Sequence, residues 1–245
     1  MTTVLLDEQG LRHDGRRVDE LRPVKIEVGV LKNANGSAYI EFGKNKIMAA
    51  VYGPKEVHPK HMALPDGAVL RCRYHMSPFS TDTRKNPAPS RREIEISKVI
   101  REALEPAVML YDYPRTAIDV FLEVLQSDGG SRCASIDCAS VALADAGINM
   151  KDLVCACAAG KVVDQVVLDL DDVEDKEGSG DMPLAIMPNF EQVTLFQLDG
   201  IFSSQQFKQA FSFALDGCKR VYQSQKEALM KKYFGQGEPS VEESE

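Results

Sequence analysis

The sequence predicts an α+β fold, with strands interleaved with packed helices, and three stretches carry that prediction. Residues 24–53 read as an antiparallel meander: VKIEVGVL, SAYIEF and KIMAAVYG are strand-like, and turn signals at Asn33-Ala34-Asn35-Gly36 and Gly43-Lys44-Asn45 separate them. Residues 117–147 read as a strand, a glycine turn and a helix of small residues ending at Gly147. Residues 204–232 put Phe207, Phe211, Ala214, Leu215, Cys218 and Val221 on one face of an amphipathic helix. No linker-like stretch and no repeat of about 20–50 residues interrupts this order. A single domain over residues 1–234 is therefore expected, followed by a disordered acidic tail, GQGEPSVEESE, over residues 235–245.

Between these stretches the elements follow from local chemistry. Residues 54–67 carry three prolines, two lysines and two histidines and predict a long loop before a fourth strand at 68–75. His58 and His61 have no carboxylate or cysteine at ligand spacing, which favours loop residues over metal ligands. Ser90-Arg91-Arg92-Glu93 fits the S-x-x-E capping box, so a helix is expected to start at Ser90 and to bury Ile94, Val99, Ile100, Ala103, Leu104 and Val108. Its first turn holds two adjacent arginines where the helix dipole disfavours cations. Either an anion compensates them, or Glu93, Glu95 and solvent do. Beyond Gly147, strands are expected at about 153–163, 165–170, 182–187 and 192–199, with an acidic loop from Asp171 to Asp181.

Composition bounds the function. A net charge of −8 argues against a protein coated in positive charge for generic nucleic-acid binding. The charge is nevertheless segregated: residues 54–101 hold ten Lys/Arg against five Asp/Glu, and residues 164–181 hold eight Asp/Glu and one Lys. A local basic surface, and hence an anionic substrate, is permitted. No apolar run approaches the roughly 18 residues of a membrane span, and the start of the chain does not read as a signal peptide, so a cytosolic (cytoplasmic) protein without membrane contact is expected. The six cysteines form no CxxC pair and read as reduced core residues.

Two constellations carry chemistry. Gly129 and Gly130 let the backbone turn sharply and approach a ligand, while Ser131 and Arg132 add a hydroxyl and a bidentate donor at the positive end of the following helix. That describes an oxyanion site as well as a plain turn. The second constellation is the acidic stretch: Gly178 and Gly180 free the loop to bring Asp175 toward Asp181, at the start of an apolar strand. Two carboxylates beside an anion hold a hard cation or supply a general acid, and both uses suit phosphoryl transfer.

The motifs, taken together, resemble the ribonuclease PH family of phosphorolytic 3′-to-5′ exoribonucleases, and within it the catalytic branch of the archaeal exosome. The resemblance rests on Arg12-His13-Asp14-Gly15-Arg16, Glu20-Leu21-Arg22-Pro23, Val51-Tyr52-Gly53-Pro54-Lys55-Glu56, Pro87-Ala88-Pro89-Ser90-Arg91-Arg92-Glu93, Leu125-Gln126-Ser127-Asp128-Gly129-Gly130-Ser131-Arg132, Ala142-Leu143-Ala144-Asp145-Ala146-Gly147, and Val173-Glu174-Asp175 through Asp181-Met182-Pro183. They run in family order from residue 12 to about residue 230.

The resemblance implies the ribosomal protein S5 domain 2-like fold with mixed sheets, and a reaction in which inorganic phosphate attacks the last phosphodiester of single-stranded RNA. It implies that Gly130, Ser131 and Arg132 bind phosphate, and that Asp181 is the general acid or, with Asp175, a ligand of Mg2+ or Mn2+. Arg91 and Arg92 would grip RNA phosphates, and Lys60 and His61 would line an RNA pore. Implied partners are a related inactive subunit, forming a hexameric ring of three heterodimers, and RNA-binding cap subunits. The alternative is a noncatalytic RNA-binding scaffold subunit of the ring. Retention of Arg132, Asp175 and Asp181 favours the catalyst. Ser131 stands where the bacterial enzyme commonly has threonine, which keeps the hydroxyl.

Overall fold

The computed structural model describes residues 5, 6 and 10–235. The expected tail therefore lies, apart from Gly235, outside the described residues.

The predicted meander forms as β1 (Val24–Val28), β2 (Gly36–Phe42) and β3 (Asn45–Glu56), each antiparallel to the next. Inward positions Ala38, Ile40, Phe42, Ile47, Ala49 and Val51 are all buried, as an alternating pattern requires. β3 continues through Glu56, so the expected loop begins three residues later than Pro54 and includes a short 3-10 turn at Lys60–Met62. β4 (Val69–Met76), α1 (Arg91–Leu104) and β5 (Thr116–Gln126) then make a crossover: β4 and β5 pair in parallel, and the sheet order is β1-β2-β3-β5-β4. A parallel pair needs such a helical return, and this one makes the sheet mixed.

α1 begins as the capping box predicts. Ser90 Oγ accepts the Glu93 N–H, and the Glu93 carboxylate accepts the Ser90 N–H. Its buried stripe is shifted, because Ile96 is buried and Ile94 is 63% exposed. The reason is Glu93: its Oε1 turns inward to accept the Met76 N–H at 2.8 Å and lies 3.1 Å from His75 Nδ1, which rotates Ile94 outward.

α2 (Ser131–Asp145) lies between the two sheets, touching β2 and β3 on one side and β6 (Cys155–Val162) on the other. Eleven of its residues are buried, from Cys133 through Leu143 without a break, which only small side chains allow at close range. At Gly36, a Cβ would stand 2.2 Å from the Ala146 nitrogen, so β2 and the end of α2 meet backbone to backbone. The helix stops at Gly147 in the left-handed region (φ 72°), as expected.

The second sheet joins β6 (Cys155–Val162), β7 (Gln165–Leu168), β8 (Gly180–Met187), β9 (Gln192–Phe196) and β10 (Asp199–Gly200), all antiparallel. The predicted strand over 192–199 is thus two short pieces, both paired to β8. α4 (Ser204–Phe234) covers the sheet through Ala214, Cys218 and Val221, while Phe207 at its first turn is 36% exposed. One correction bears on the site. The acidic stretch is not a free loop: Asp172–Glu177 forms a short helix, α3, capped by Asp171. Asp171 Oδ1 accepts two first-turn amides and Glu174 closes the box, so local hydrogen bonding orders a segment whose charge alone reads as solvated.

All six cysteines are free thiols, five of them buried. Burial pushes the half-buried Cys72 thiol up to about 12, so it is not a nucleophile at neutral pH. Among the described residues no helix is long and apolar enough to cross a membrane.

Candidate active site

The glycine turn between β5 and α2 is built by its neighbours. Gly129 and Gly130 both take left-handed φ, 67° and 66°, a pair of conformations that side chains disfavour. The turn is tied down from below by Asn45, whose amide donates to the Gly129 carbonyl at 2.6 Å and accepts the Asp128 N–H at 2.7 Å. Arg22 grips the same turn, donating to the Asp128 carbonyl, to the Gly129 carbonyl at 3.2 Å and to the Leu170 carbonyl at 3.0 Å. Gly130 offers no side chain to cap α2, so the first-turn amides keep donors for a ligand. A Cβ at Gly129 would stand 2.4 Å from the Asp171 carbonyl carbon. Gly129→Ala is therefore expected to lower Tm by about 2–12 °C in a thermal melt, from the roughly 1–3 kcal/mol of such overpacking and strain.

Across the cleft stands α3. The N-terminal segment fastens it: buried Arg12 donates to both carboxylate oxygens of Glu174 and to the carbonyls of Leu168 (2.6 Å) and Asp169 (2.8 Å). His13 Nε2 lies 2.5 Å from Asp171 Oδ2. Arg22 forks onto Asp169 at 2.7 and 2.8 Å. Three arginines of the N-terminal motifs, Arg12, Arg16 and Arg22, thus converge on Asp169 and its surroundings and fix the turn and α3 relative to each other.

The resulting cleft encloses about 290 Å³. Its walls bring together Gly130 from the glycine turn, Ser131 and Arg132 from the start of α2, Asp175 from α3, Asp181 from β8 and Arg92 from α1. Six of the nine residues singled out in the sequence therefore share one cavity. Arg91 is exposed and does not line it; Lys60 and His61 sit on the 3-10 turn, where Lys60 pairs with Glu56 at 2.9 Å and borders a separate depression with Arg115.

Charge within the cleft is deliberately unbalanced. Arg132 is held by the Gln197 side-chain amide and by no carboxylate among the described residues, so its positive charge is oriented without being neutralised. Arg92 likewise has no ion pair among them, because Glu93 faces away. Burial raises the Asp175 carboxyl, with Arg92 opposing and Asp172 reinforcing the rise. Burial also raises Asp181, with Asp175 and Asp199 reinforcing and Arg132 opposing. The two carboxylates are hard oxygen donors facing an anion cradle, a donor set that fits a small divalent cation shared with a phosphate. His13, Asp171 and Glu174 also bring ligand atoms within 4.8 Å of one another. That second cluster does not fit a cation, since Arg12 occupies both Glu174 oxygens and His13 takes Asp171.

Sequence reasoning missed several residues here. Asn45, Asp169 and Gln197 are polar positions within strands or short connections, with no local pattern to mark them. Tyr74 is another: its hydroxyl lies 2.9 Å from Ser131 Oγ, across 57 residues of sequence. Arg12 and Arg22 entered only as members of the motifs that carry the family resemblance, which named no partner for them.

A left-handed glycine turn, a guanidinium without a carboxylate partner among the described residues and a hydroxyl, sharing a cleft with two carboxylates, meet the requirements of phosphoryl-transfer chemistry, which depends on positioning and charge stabilisation. The chain belongs to the 3′ exoribonuclease family (ribonuclease PH): the family's domain 1 matches residues 20–149 and its domain 2 residues 152–217. It is 63% identical to the exosome complex component Rrp41 of Cenarchaeum symbiosum over 96% of this chain and 97% of that protein. It is 61% identical to the Rrp41 of Thermococcus kodakarensis over 94% and 92%. Among solved structures it matches rice Rrp46 with a TM-score of 0.79 and 25% identity, covering 89% of this chain and all of that one. An Archaeoglobus fulgidus exosome with RNA bound to the active site matches in fold, with a TM-score of 0.76 at 22% identity over 88% and 92%.

Proposed function

We propose that the chain is the phosphorolytic 3′-to-5′ exoribonuclease subunit of an exosome, degrading single-stranded RNA to nucleoside diphosphates and adding 3′ tails in reverse. The observation that carries this reading is the pairing, in one cleft, of an anion cradle whose guanidinium has no carboxylate partner among the described residues with the two carboxylates Asp175 and Asp181. The relatives named Rrp41 support the assignment to an exosome.

In the forward reaction an oxygen of inorganic phosphate attacks the terminal phosphodiester phosphorus. The bond from phosphorus to the 3′-oxygen breaks, and a nucleoside 5′-diphosphate leaves. The first-turn amides of α2, the Ser131 hydroxyl and the Arg132 guanidinium hold the attacking phosphate and offset the repulsion between two anions. Arg92 steadies the scissile phosphate from the opposite wall, and Arg91 contacts RNA further from the cleft. Asp181, whose carboxyl is raised above the usual range by burial and by the neighbouring Asp175, gives its proton to the departing 3′-oxygen. In the alternative role, with Asp181 ionised, Asp175 and Asp181 would together hold Mg2+ or Mn2+, which when bound would neutralise charge on the transferring phosphoryl group. Lys60 and His61 guide the RNA strand toward the cleft. Partners are a related inactive subunit, in a ring of three heterodimers, and RNA-binding cap subunits, in the cytoplasm.

Product analysis tests the reading. The chain, assembled with its partner, should release nucleoside diphosphates from 3′-hydroxyl RNA only when phosphate and a divalent metal are supplied. Monophosphates released without phosphate would overturn phosphorolysis. Unchanged ring activity in Asp181→Ala would assign the chain to a scaffold role instead.

A further inference from the structure

We propose that Tyr74 is a positioning residue of the phosphate cradle, its phenol fixing the Ser131 hydroxyl so that the serine proton points at the bound phosphate. The inference rests on the phosphorolytic reading above and deepens it.

Tyr74 lies near the end of β4, across from Leu122 of β5, and is 2% exposed. Its backbone N–H donates to Ser97 Oγ at 2.9 Å, and that hydroxyl donates to the Glu93 carbonyl at 2.6 Å. The ring is thereby set between β4 and α1, on the same support that carries Arg92. The phenol has one partner among the described residues, Ser131 Oγ at 2.9 Å.

Geometry alone leaves the direction of that bond open, and the surroundings decide it. A buried phenol that donates to nothing leaves its donor unsatisfied, which is costly where water is excluded. Ser131, in contrast, lines the cleft, where a bound phosphate offers acceptor oxygens. A hydroxyl has one proton. If Ser131 gave it to Tyr74, a lone pair would face the anion and the tyrosine proton would have no acceptor. The order Tyr74 to Ser131 to phosphate satisfies every donor, and each bond polarises the next. Burial raises the Tyr74 phenol above its usual value, so it remains a donor across the neutral range.

The test is steady-state phosphorolysis by the assembled complex, with phosphate varied at saturating RNA. Tyr74→Phe removes one hydroxyl and keeps the ring; it should raise KM for phosphate about fivefold, with kcat within about twofold and KM for RNA unchanged. On a Ser131→Ala background the same substitution should change KM for phosphate by less than about twofold, since the group it acts through is gone. An unchanged KM in the single variant, or an equal effect on both backgrounds, overturns the role of Tyr74 and leaves phosphorolysis standing. Failure of Tyr74→Phe to assemble also overturns it, because the hydroxyl would then serve stability. Wild-type cleavage that ignores phosphate removes the underlying reading itself.

Discussion

Arg22→Ala is expected to lower the Tm of the purified chain by about 10 °C and, below that transition, to reduce phosphorolysis by about 100-fold. The stability loss follows from burial. Arg22 donates its backbone N–H (2.9 Å) and two guanidinium nitrogens to Asp169, and it also serves three carbonyls. Its removal leaves a buried carboxylate with the residue-22 backbone N–H and, as its one cationic partner among the described residues, the longer Arg16 contact at 3.3 Å. Breaking one side of a buried ion pair costs about 3–5 kcal/mol, and for a chain of this size each kcal/mol moves Tm by roughly 2–4 °C. The activity loss has a separate origin. Without Arg22, the Asp128 carbonyl loses its donor and the Gly129 carbonyl keeps Asn45 alone, so the turn can shift, and a misplacement of about 1 Å at a reacting group costs on the order of 100-fold. Arg22→Lys should rescue neither effect, because an ammonium cannot fork onto Asp169 while reaching the turn. A lysine variant with wild-type melting and activity would show that charge alone suffices there.

That arginine also marks where the sequence stops being legible. The meander, the start of α1 and the small-residue course of α2 follow from alternation, a capping box and side-chain size, all of which act over a few residues. The cradle was readable for the same reason: Gly129, Gly130, Ser131 and Arg132 are contiguous, and two glycines before a helix carry their own backbone logic. The opposing wall was half readable. Asp175 and Asp181 stood out as carboxylates, yet the stretch from Asp171 to Asp181 was expected to be a loop, whereas Asp171 and Glu174 cap its first part into helix α3 with help from Arg12, 162 residues from Glu174. Ile94 shows the same limit at smaller scale. Helical spacing made it a core residue, and a tertiary bond from Glu93 to β4 turned it to solvent. What periodicity cannot supply is the partner of a buried polar group, and the site is assembled mainly from such partners.

Asp181→Asn is expected to lower phosphorolysis by about 100- to 10,000-fold, the usual worth of a general acid, while the folded chain becomes no less stable at neutral pH. The sign of the stability effect follows from the raised pKa. Burial, then the neighbouring Asp175, disfavours the charged form of Asp181 in the fold. A carboxyl raised above its unfolded value of 3.8 contributes stability in its protonated form, and that contribution is lost as pH rises through the folded value. At neutral pH the wild-type fold therefore carries an unfavourable carboxylate that asparagine replaces with a neutral group of the same shape. The difference in Tm should be zero or in favour of the variant at about pH 7, and should shrink as pH falls toward about 4. The same protonation controls catalysis in the wild type, whose kcat should fall on the alkaline side as Asp181 ionises. In Asp181→Asn the small residual rate should lose that alkaline limb. Melting curves at the two pH values and a kcat profile measure both consequences. A variant that melts well below wild type at neutral pH would make Asp181 a structural carboxylate. A residual rate that keeps the wild-type alkaline limb would move the titration to another group.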